Sequence, residues 1–269
     1  MGYDEKESPS EWGKWRLLEI GDVTMKPILP REHGGWAMVS VPFFLGMAVG
    51  GPDWLHLPLF IGWMLFYLAA YPFRLALMKR HDRQAYVRWS LVYCGLGMIF
   101  MLPPLVAQPS LLWAGPVLAG MLAINGWYAY RRNERSFIND MVAILTFSIG
   151  GTASYFIGAG KLDDLALWVA ALCFVYFAGS VFFVKSVFRE RKNVTWQKVS
   201  KGYHALLAVI LAILDPLLVL PFAFSTVRAF VWGGKPVSPI KVGIIEIIGS
   251  VLFLVLSILV FSVTRPTVV

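Results

Sequence analysis

The sequence predicts an all-α protein, a polytopic transmembrane helical bundle, on three observations. Of its 269 residues, 58% are hydrophobic and 15% are charged, whereas soluble domains average about 25% charged residues. Apolar runs of roughly 18–20 residues recur along the chain, and this is the length that an α-helix needs to cross a bilayer. Most of the lysines and arginines lie in short links beside these runs, which is typical of multi-pass membrane proteins.

Eight apolar spans can be placed along the chain. They are predicted over residues 36–50, 54–73, 89–106, 111–127, 141–159, 165–184, 203–222 and 242–263. Pro216 and Pro221 make the region after the seventh span irregular, so a ninth element exists if residues 225–232 dip into the membrane. Residues 1–30 are polar and are predicted to form a cytosolic tail, which leaves residues 31–269 as a single transmembrane domain.

The cations of the links orient these spans. The links after the second, fourth and sixth spans are basic, whereas those after the first, third and fifth carry only Lys161. The positive-inside rule therefore predicts that the basic links are cytoplasmic and, with eight spans, that both termini are cytoplasmic too. The link after the seventh span, with Arg228, Lys235 and Lys241, is an exception, and Glu246, near the outer end of the eighth span, is predicted to be interfacial. Because the net charge of +8 lies largely in membrane-flanking links, it does not indicate a nucleic-acid partner.

Three basic segments are predicted to rim one pocket that opens to the cytoplasm. Arg74 follows the second span, Arg131 follows the fourth, and Lys185 and Arg189 follow the sixth. A guanidinium group binds phosphate through two parallel hydrogen bonds, and an ammonium group binds it as a point charge. The alternative is that these side chains only extend to the lipid headgroups.

Polar residues beside Arg131 complete the predicted substrate site. Asn133, Asn139 and Asp140 are interpreted as substrate ligands, although Asn139 or Asp140 is also an ordinary N-cap for the fifth span. Glu134 is predicted to be a catalytic proton carrier, with a solvated salt bridge as the alternative.

The segment before the first span contains a second group of reactive side chains. Arg31 and His33 precede Gly34 and Gly35. Histidine side chains in general titrate near neutral pH, so His33 is predicted to move a proton, and Arg31 is predicted to bind an anion. The alternative is a helix-start signal with no chemical role. The histidines show no metal-binding spacing, so no metal site is predicted, and the cofactor is left open.

Three segments of the sequence resemble the YwiC-like family of bacterial integral membrane proteins. These are Pro-Arg-Glu-His-Gly-Gly-Trp-Ala-Met at residues 30–38, Asn-Glu-Arg-Ser-Phe-Ile-Asn-Asp at residues 133–140, and Phe-Phe-Val-Lys-Ser at residues 182–186. The resemblance runs from about Met25 to the C-terminus. It implies a multi-pass protein of the bacterial cytoplasmic (inner) membrane.

A more remote resemblance is to the UbiA superfamily of intramembrane prenyltransferases. That family places its catalytic motifs where Arg74–Arg83 and Lys185–Lys192 lie here, and its basic and aromatic segment is similar to Tyr128–Arg135. The resemblance implies a prenyl- or lipid-modifying transferase, with a membrane lipid, an isoprenoid, a quinone-like molecule or a phosphorylated small molecule as partner. The Asp-rich metal motifs of that family are replaced here by basic residues, and Asp82 alone cannot supply a carboxylate pair.

Two other functions stay open at this stage. Asp215, next to Pro216 near the middle of the seventh span, is either the centre of a transporter or the cap of a broken helix. A non-catalytic subunit or assembly factor of a membrane complex is the third possibility.

Overall fold

The computed structural model describes residues 26–30, 33–79 and 81–264. Most of the predicted N-terminal tail, residues 1–25, lies outside these ranges. Within them the chain contains nine α-helices and no β-strand, which confirms the all-helical fold.

The helices follow one another through short links. They are α1 (His33–Gly50), α2 (His56–Met78), α3 (Arg83–Ala107), α4 (Ala114–Tyr130), α5 (Phe137–Ala159), α6 (Asp164–Val187), α7 (Val194–Leu214), α8 (Val219–Trp232) and α9 (Pro239–Thr264). Short 3-10 turns, Pro109–Trp113 and Pro216–Leu218, precede α4 and α8. Among the described helices, six are long and apolar enough to cross a membrane, namely α2, α3, α4 with its preceding turn, α5, α6 and α9. The chain is therefore a multi-pass membrane protein.

The prediction of one continuous seventh span is wrong, because the helix stops at Asp215. The residue before a proline is forced away from the helical region, and Asp215 is extended, with φ −161° and ψ 117°. Its carboxylate then accepts a hydrogen bond of 2.9 Å from the backbone amide of Leu217. Asp215 is thus a cap at a helix break, which is one of the two interpretations that the sequence left open.

After this break the chain returns through the bundle. Gly233, which follows α8, packs against Lys201, and Gly234 packs against Gln197. Lys201 and Gln197 both belong to the first half of α7. The end of α8 and the start of α7 therefore lie at the same end of the bundle.

The returning helix changes the predicted topology. With nine described helices, the start of α1 and the end of α9 lie at opposite ends of the bundle. The prediction that both termini lie on one side of the membrane assumed eight spans, and nine crossing helices would place them on opposite sides. Lys235 and Lys241 now lie at the same end as the other basic links, so the exception to the charge rule disappears. This end is called the basic end below.

Backbone contacts between glycines hold α1 against α5. A side-chain carbon on Gly46 would overlap the carbonyl oxygen of Gly151, and one on Gly158 would overlap the carbonyl oxygen of Gly51. Small residues allow this approach, and dispersion contacts between closely packed helices stabilise association in lipid. The packing fixes the position of α5, whose first turn carries the candidate site.

The most buried helix is α6, and α3 and α4 lie at the periphery. Tyr176 of α6 stacks on Phe253 of α9 with ring centroids 4.1 Å apart. In contrast, α3 exposes large apolar side chains, including Leu91 and Ile99, which suits a surface in contact with lipid. The core therefore lies among α1, α5, α6, α8 and α9.

Candidate functional site

The start of α5 is capped by Ser136. The Ser136 hydroxyl accepts a hydrogen bond of 3.2 Å from the Asn139 backbone amide. Asn139 instead uses its side-chain amide, which donates to the carbonyl oxygen of Glu134 at 2.7 Å. The alternative interpretation of Asn139 or Asp140 as the N-cap is therefore wrong, because the helix begins earlier than its apolar run. Neither side chain is therefore used to cap α5.

Lys185 lies in the last turn of α6 and reaches the first turn of α5. Its ammonium group is 3.3 Å from the Asp140 carboxylate, and only 12% of its side chain is exposed. The rings of Phe137 and Trp196 flank the ammonium group, with centroids 5.6 and 5.7 Å away. Aromatic faces attract a cation. The partly buried cation predicted at the end of α6 is therefore Lys185, and its partners are Asp140, Phe137 and Trp196.

Arg189 approaches the same place from one turn further along the chain. Its guanidinium group donates to the carbonyl oxygen of Arg135 at 3.3 Å, and the Lys185 ammonium group donates to the same oxygen at 3.4 Å. Two cations thus converge on one neutral oxygen. Below, the Lys185 cluster means Lys185, Arg189, Glu134, Asn139 and Asp140.

Two oxygen atoms of the Lys185 cluster have no hydrogen-bond donor. They are Oδ1 of Asn139 and Oε2 of Glu134, both of which are buried. The orientation of the Asn139 amide is set by its bond to the Glu134 carbonyl, so Oδ1 is the free acceptor. A buried acceptor without a donor costs about 1–3 kcal/mol. Water or a ligand hydroxyl would satisfy both atoms.

The remaining predicted ligands are separate from this cluster. Arg74 contacts the ring of Tyr71, 5.9 Å away in α2, and Arg131, just after α4, contacts the ring of Trp127, 4.9 Å away near the end of that helix. Asn133 lies exposed in the turn between α4 and α5. The described contacts thus bring Lys185 and Arg189 to the start of α5, whereas those of Arg74 and Arg131 are local, so the described contacts do not join the three basic segments in one group.

Two of the predicted site residues, Arg31 and His33, lie in the sequence around the start of α1. Arg31 lies outside the described residues, and so does the side chain of His33, although its backbone begins α1. Among the described residues, no three His, Cys, Asp or Glu side chains are grouped as metal ligands would be.

A buried ion pair that sequence reasoning missed lies among α6, α8 and α9. Arg228 donates to the Glu246 carboxylate at 2.5 Å and to the Ser180 hydroxyl at 2.8 Å, and its side chain is 0% exposed. The sequence placed Arg228 in an outer link and Glu246 at an outer interface, and both placements are wrong. A signal was present, since Arg228 is the sole cation of the apolar stretch 219–232. It becomes visible once that stretch is recognised as a helix.

Comparison with known proteins places this geometry in a family. The profile described as "YwiC-like protein" matches residues 29–155. YwiC of Bacillus subtilis (strain 168), described as uncharacterised, is 39% identical over 231 residues, or 86% of this chain and 96% of the relative. The chain belongs to the YwiC-like family. A protein of Haemophilus influenzae, also described as uncharacterised, is 34% identical over 233 residues, or 86% of this chain and 98% of the relative.

No solved structure matches the chain significantly. The segment matched by the YwiC-like profile includes residues 133–140, and hence the α5 side of the Lys185 cluster, but ends before α6. The resemblance predicted from the three sequence segments is therefore confirmed as family membership, and the reaction has to be argued from the site.

Proposed function

We propose that the protein binds an anionic, lipid-soluble substrate at the Lys185 cluster and acts on it as a UbiA-like prenyl- or lipid-modifying transferase. The observation that carries this proposal is the convergence of Lys185 and Arg189 on the single carbonyl oxygen of Arg135. Lys185 also pairs with the Asp140 carboxylate at 3.3 Å, whereas Arg189 has only this neutral carbonyl as its described acceptor, which compensates its charge only in part. A phosphate or diphosphate offers several oxygens that accept from both groups at once.

The acceptors of the Lys185 cluster suit the other half of such a reaction. Glu134 and Asn139 each have a buried side-chain oxygen without a donor. They are the sequence neighbours of Arg135 and Asp140, which the two cations contact. A hydroxyl group of an acceptor substrate would donate to one of them. Glu134 would then take the proton as the oxygen attacks the prenyl carbon and the diphosphate leaves toward Lys185 and Arg189. Electrostatic stabilisation by fixed cations would replace the metal ions of the UbiA superfamily.

The location favours an amphiphilic substrate. Lys185 lies where α6 leaves the membrane, and Phe137 and Trp196 cover its apolar surroundings. A substrate with an apolar chain and an anionic head would keep its chain in the bilayer while its head reaches this depth. By the charge of the links, the basic end faces the cytoplasm of a bacterial inner membrane, and the end of α9 faces outward.

Binding of farnesyl diphosphate to the full-length protein in nanodiscs tests the site directly. Lys185→Ala and Arg189→Ala should each weaken binding by about tenfold or more, the loss expected for one charge-assisted hydrogen bond of about 1.5–3 kcal/mol. Lys192→Ala removes an exposed cation from the same link and serves as the matched control. Equal affinities for Lys185→Ala, Arg189→Ala and Lys192→Ala would rule the site out.

The transfer step needs a separate measurement. Release of inorganic diphosphate from farnesyl diphosphate, in nanodiscs that contain bacterial lipid extract, should be lost in Glu134→Gln while farnesyl diphosphate still binds. Wild-type protein that binds the probe and releases no diphosphate would exclude the transferase and retain only the binding site.

A further inference from the structure

Arg228 is a fully buried cation at a definite depth in the bundle. It lies four residues before the end of α8, and Glu246 lies seven residues after the start of α9. At 1.5 Å per residue the pair is roughly 6–10 Å below the basic end. The Phe183 and Tyr176 rings cover the guanidinium group, with centroids 5.0 and 5.8 Å away. This site is separate from the Lys185 cluster.

The hydrogen bonds of this site are incomplete. A guanidinium group has five N–H donors, and the Nε donor of Arg228 has no partner. The Tyr176 hydroxyl, beside Ser250, lacks a partner of normal geometry, and so does Nε2 of His204. The side chains of Arg228, Tyr176, Ser250 and His204 are each at most 2% exposed. Because Nδ1 of His204 donates to the Ser200 carbonyl oxygen, its Nε2 is an acceptor. An ion pair that served only to hold three helices together would not leave these polar atoms without partners in an apolar interior.

Two glycines give the unpartnered atoms their space. A side-chain carbon on Gly249 would lie 2.9 Å from the Tyr176 hydroxyl oxygen, and one on Gly179 would lie 3.0 Å from Nε2 of His204. A β-carbon at Gly249 would force the Tyr176 hydroxyl to move, and one at Gly179 would press tightly on the His204 ring. The unpartnered polar groups therefore point at positions where the chain has no side chain.

We propose that Arg228, Glu246, Ser180 and Tyr176 form an intramembrane site that binds one monovalent oxyanion together with one proton. The Arg228 Nε group is a donor and the Tyr176 hydroxyl can donate, so the two fit a ligand whose oxygens accept. Glu246 is the internal anion of the site. The ligand replaces the Glu246 carboxylate on the guanidinium group, and the displaced carboxylate takes up the proton.

Charge balance is the reason that the two ligands bind together. The Arg228–Glu246 pair is neutral, and an added anion would leave a net negative charge in a medium of low dielectric constant. Protonation of Glu246 restores neutrality and releases the N–H groups that it occupied. The titratable groups around Glu246 are Tyr176 of α6, His204 of α7 and Arg228 of α8, and residues 34–50 of α1, which packs on α9, contain none.

Methanesulfonate is a suitable probe, because it is a monovalent oxyanion that does not itself take up protons near neutral pH. Full-length protein in detergent should unfold at a higher temperature as methanesulfonate is added, since the ligand binds the folded state. In unbuffered solution the wild-type protein should take up protons in proportion to the anion bound.

Variants separate this site from a structural ion pair. Glu246→Gln removes the internal competitor, so it should bind methanesulfonate at least about tenfold more tightly and without proton uptake. Arg228→Met should show no response. Ser257→Ala, at another buried polar residue of α9, is the matched control and should behave as wild type.

Wild-type protein without methanesulfonate-dependent stabilisation or proton uptake would overturn the proposal, whether or not the variants fold. So would a response that Glu246→Gln leaves unchanged. Because Lys185→Ala retains Arg228, it should keep the response, which distinguishes this site from the proposed transferase site.

Discussion

The close packing of α1 on α5 predicts opposite effects for two Gly→Ala substitutions. In Gly46→Ala, the new methyl group would overlap the Gly151 carbonyl oxygen and lie 2.9 Å from the Tyr155 backbone nitrogen. Neither neighbour is a side chain that can rotate away. The two helices would have to separate, and the adjoining contact between Gly50 and Tyr155 would loosen with them. We therefore expect Gly46→Ala to destabilise the protein.

The size of the effect follows from two terms. Overpacking of a tight contact costs about 1–3 kcal/mol, and overlap with rigid backbone favours the upper end of that range. Alanine is intrinsically better than glycine in a helix by up to about 1 kcal/mol, which offsets part of the loss. The free energy of unfolding of Gly46→Ala should fall by about 2 kcal/mol.

Gly95→Ala is the matched control, because nothing lies within 4 Å of a side-chain carbon built on Gly95 of α3. It retains the intrinsic helix gain and should be at least as stable as wild type. Equilibrium unfolding in mixed micelles, followed by circular dichroism, measures the free energy of unfolding of both variants. If Gly46→Ala were as stable as Gly95→Ala, the proposed backbone contact between α1 and α5 would be refuted.

Two further predictions concern topology and acid stability. In a cysteine-free background, Val263→Cys should react with a membrane-impermeant maleimide added outside intact cells, and Lys235→Cys should not. The reverse pattern would support the topology in which both termini are cytoplasmic. Partial burial raises the pKa of Asp163, but hydrogen bonds from Tyr155 and Lys161 outweigh it and hold the pKa below its usual value near 3.8. Because this pKa is lower in the folded state, the stability it contributes is present above the unfolded pKa and is lost as the pH falls through the folded pKa. Tyr155→Phe removes the 2.8 Å hydrogen bond to Asp163 and should lower the free energy of unfolding at neutral pH by about 1–2 kcal/mol. Thermal unfolding at several pH values measures this difference between variant and wild type, which should become smaller in strong acid.

Much of the fold was predictable, and the one error has a simple cause. Seven of the eight predicted spans correspond to observed helices. The predicted seventh span, residues 203–222, joined parts of two helices because hydropathy is summed over a window and does not register a change of direction. The Asp215–Pro216 pair was the local signal, since proline restricts the residue before it. This turn changes the end of the bundle at which the later link and the end of α9 lie.

The candidate site was predictable in part. Charge in the links identified Lys185, Arg189 and Asp140 as lying at one end of the bundle, because alternate links of a helical bundle share an end. It did not indicate that Lys185 would reach Asp140 while Arg74 stayed with Tyr71. That choice depends on which helices are neighbours, and on the rotation of each helix about its axis.

Composition and the spacing of apolar runs determined by themselves that this chain is a helical membrane protein, because transfer of a helix into lipid depends on residues that are adjacent in sequence. Family membership also followed from local sequence segments. Only the tertiary structure decided the pairing of charges. Arg228 meets Glu246 and Ser180 across 18 and 48 residues of sequence, and the burial that makes a charge significant is set by the packing of other helices around it.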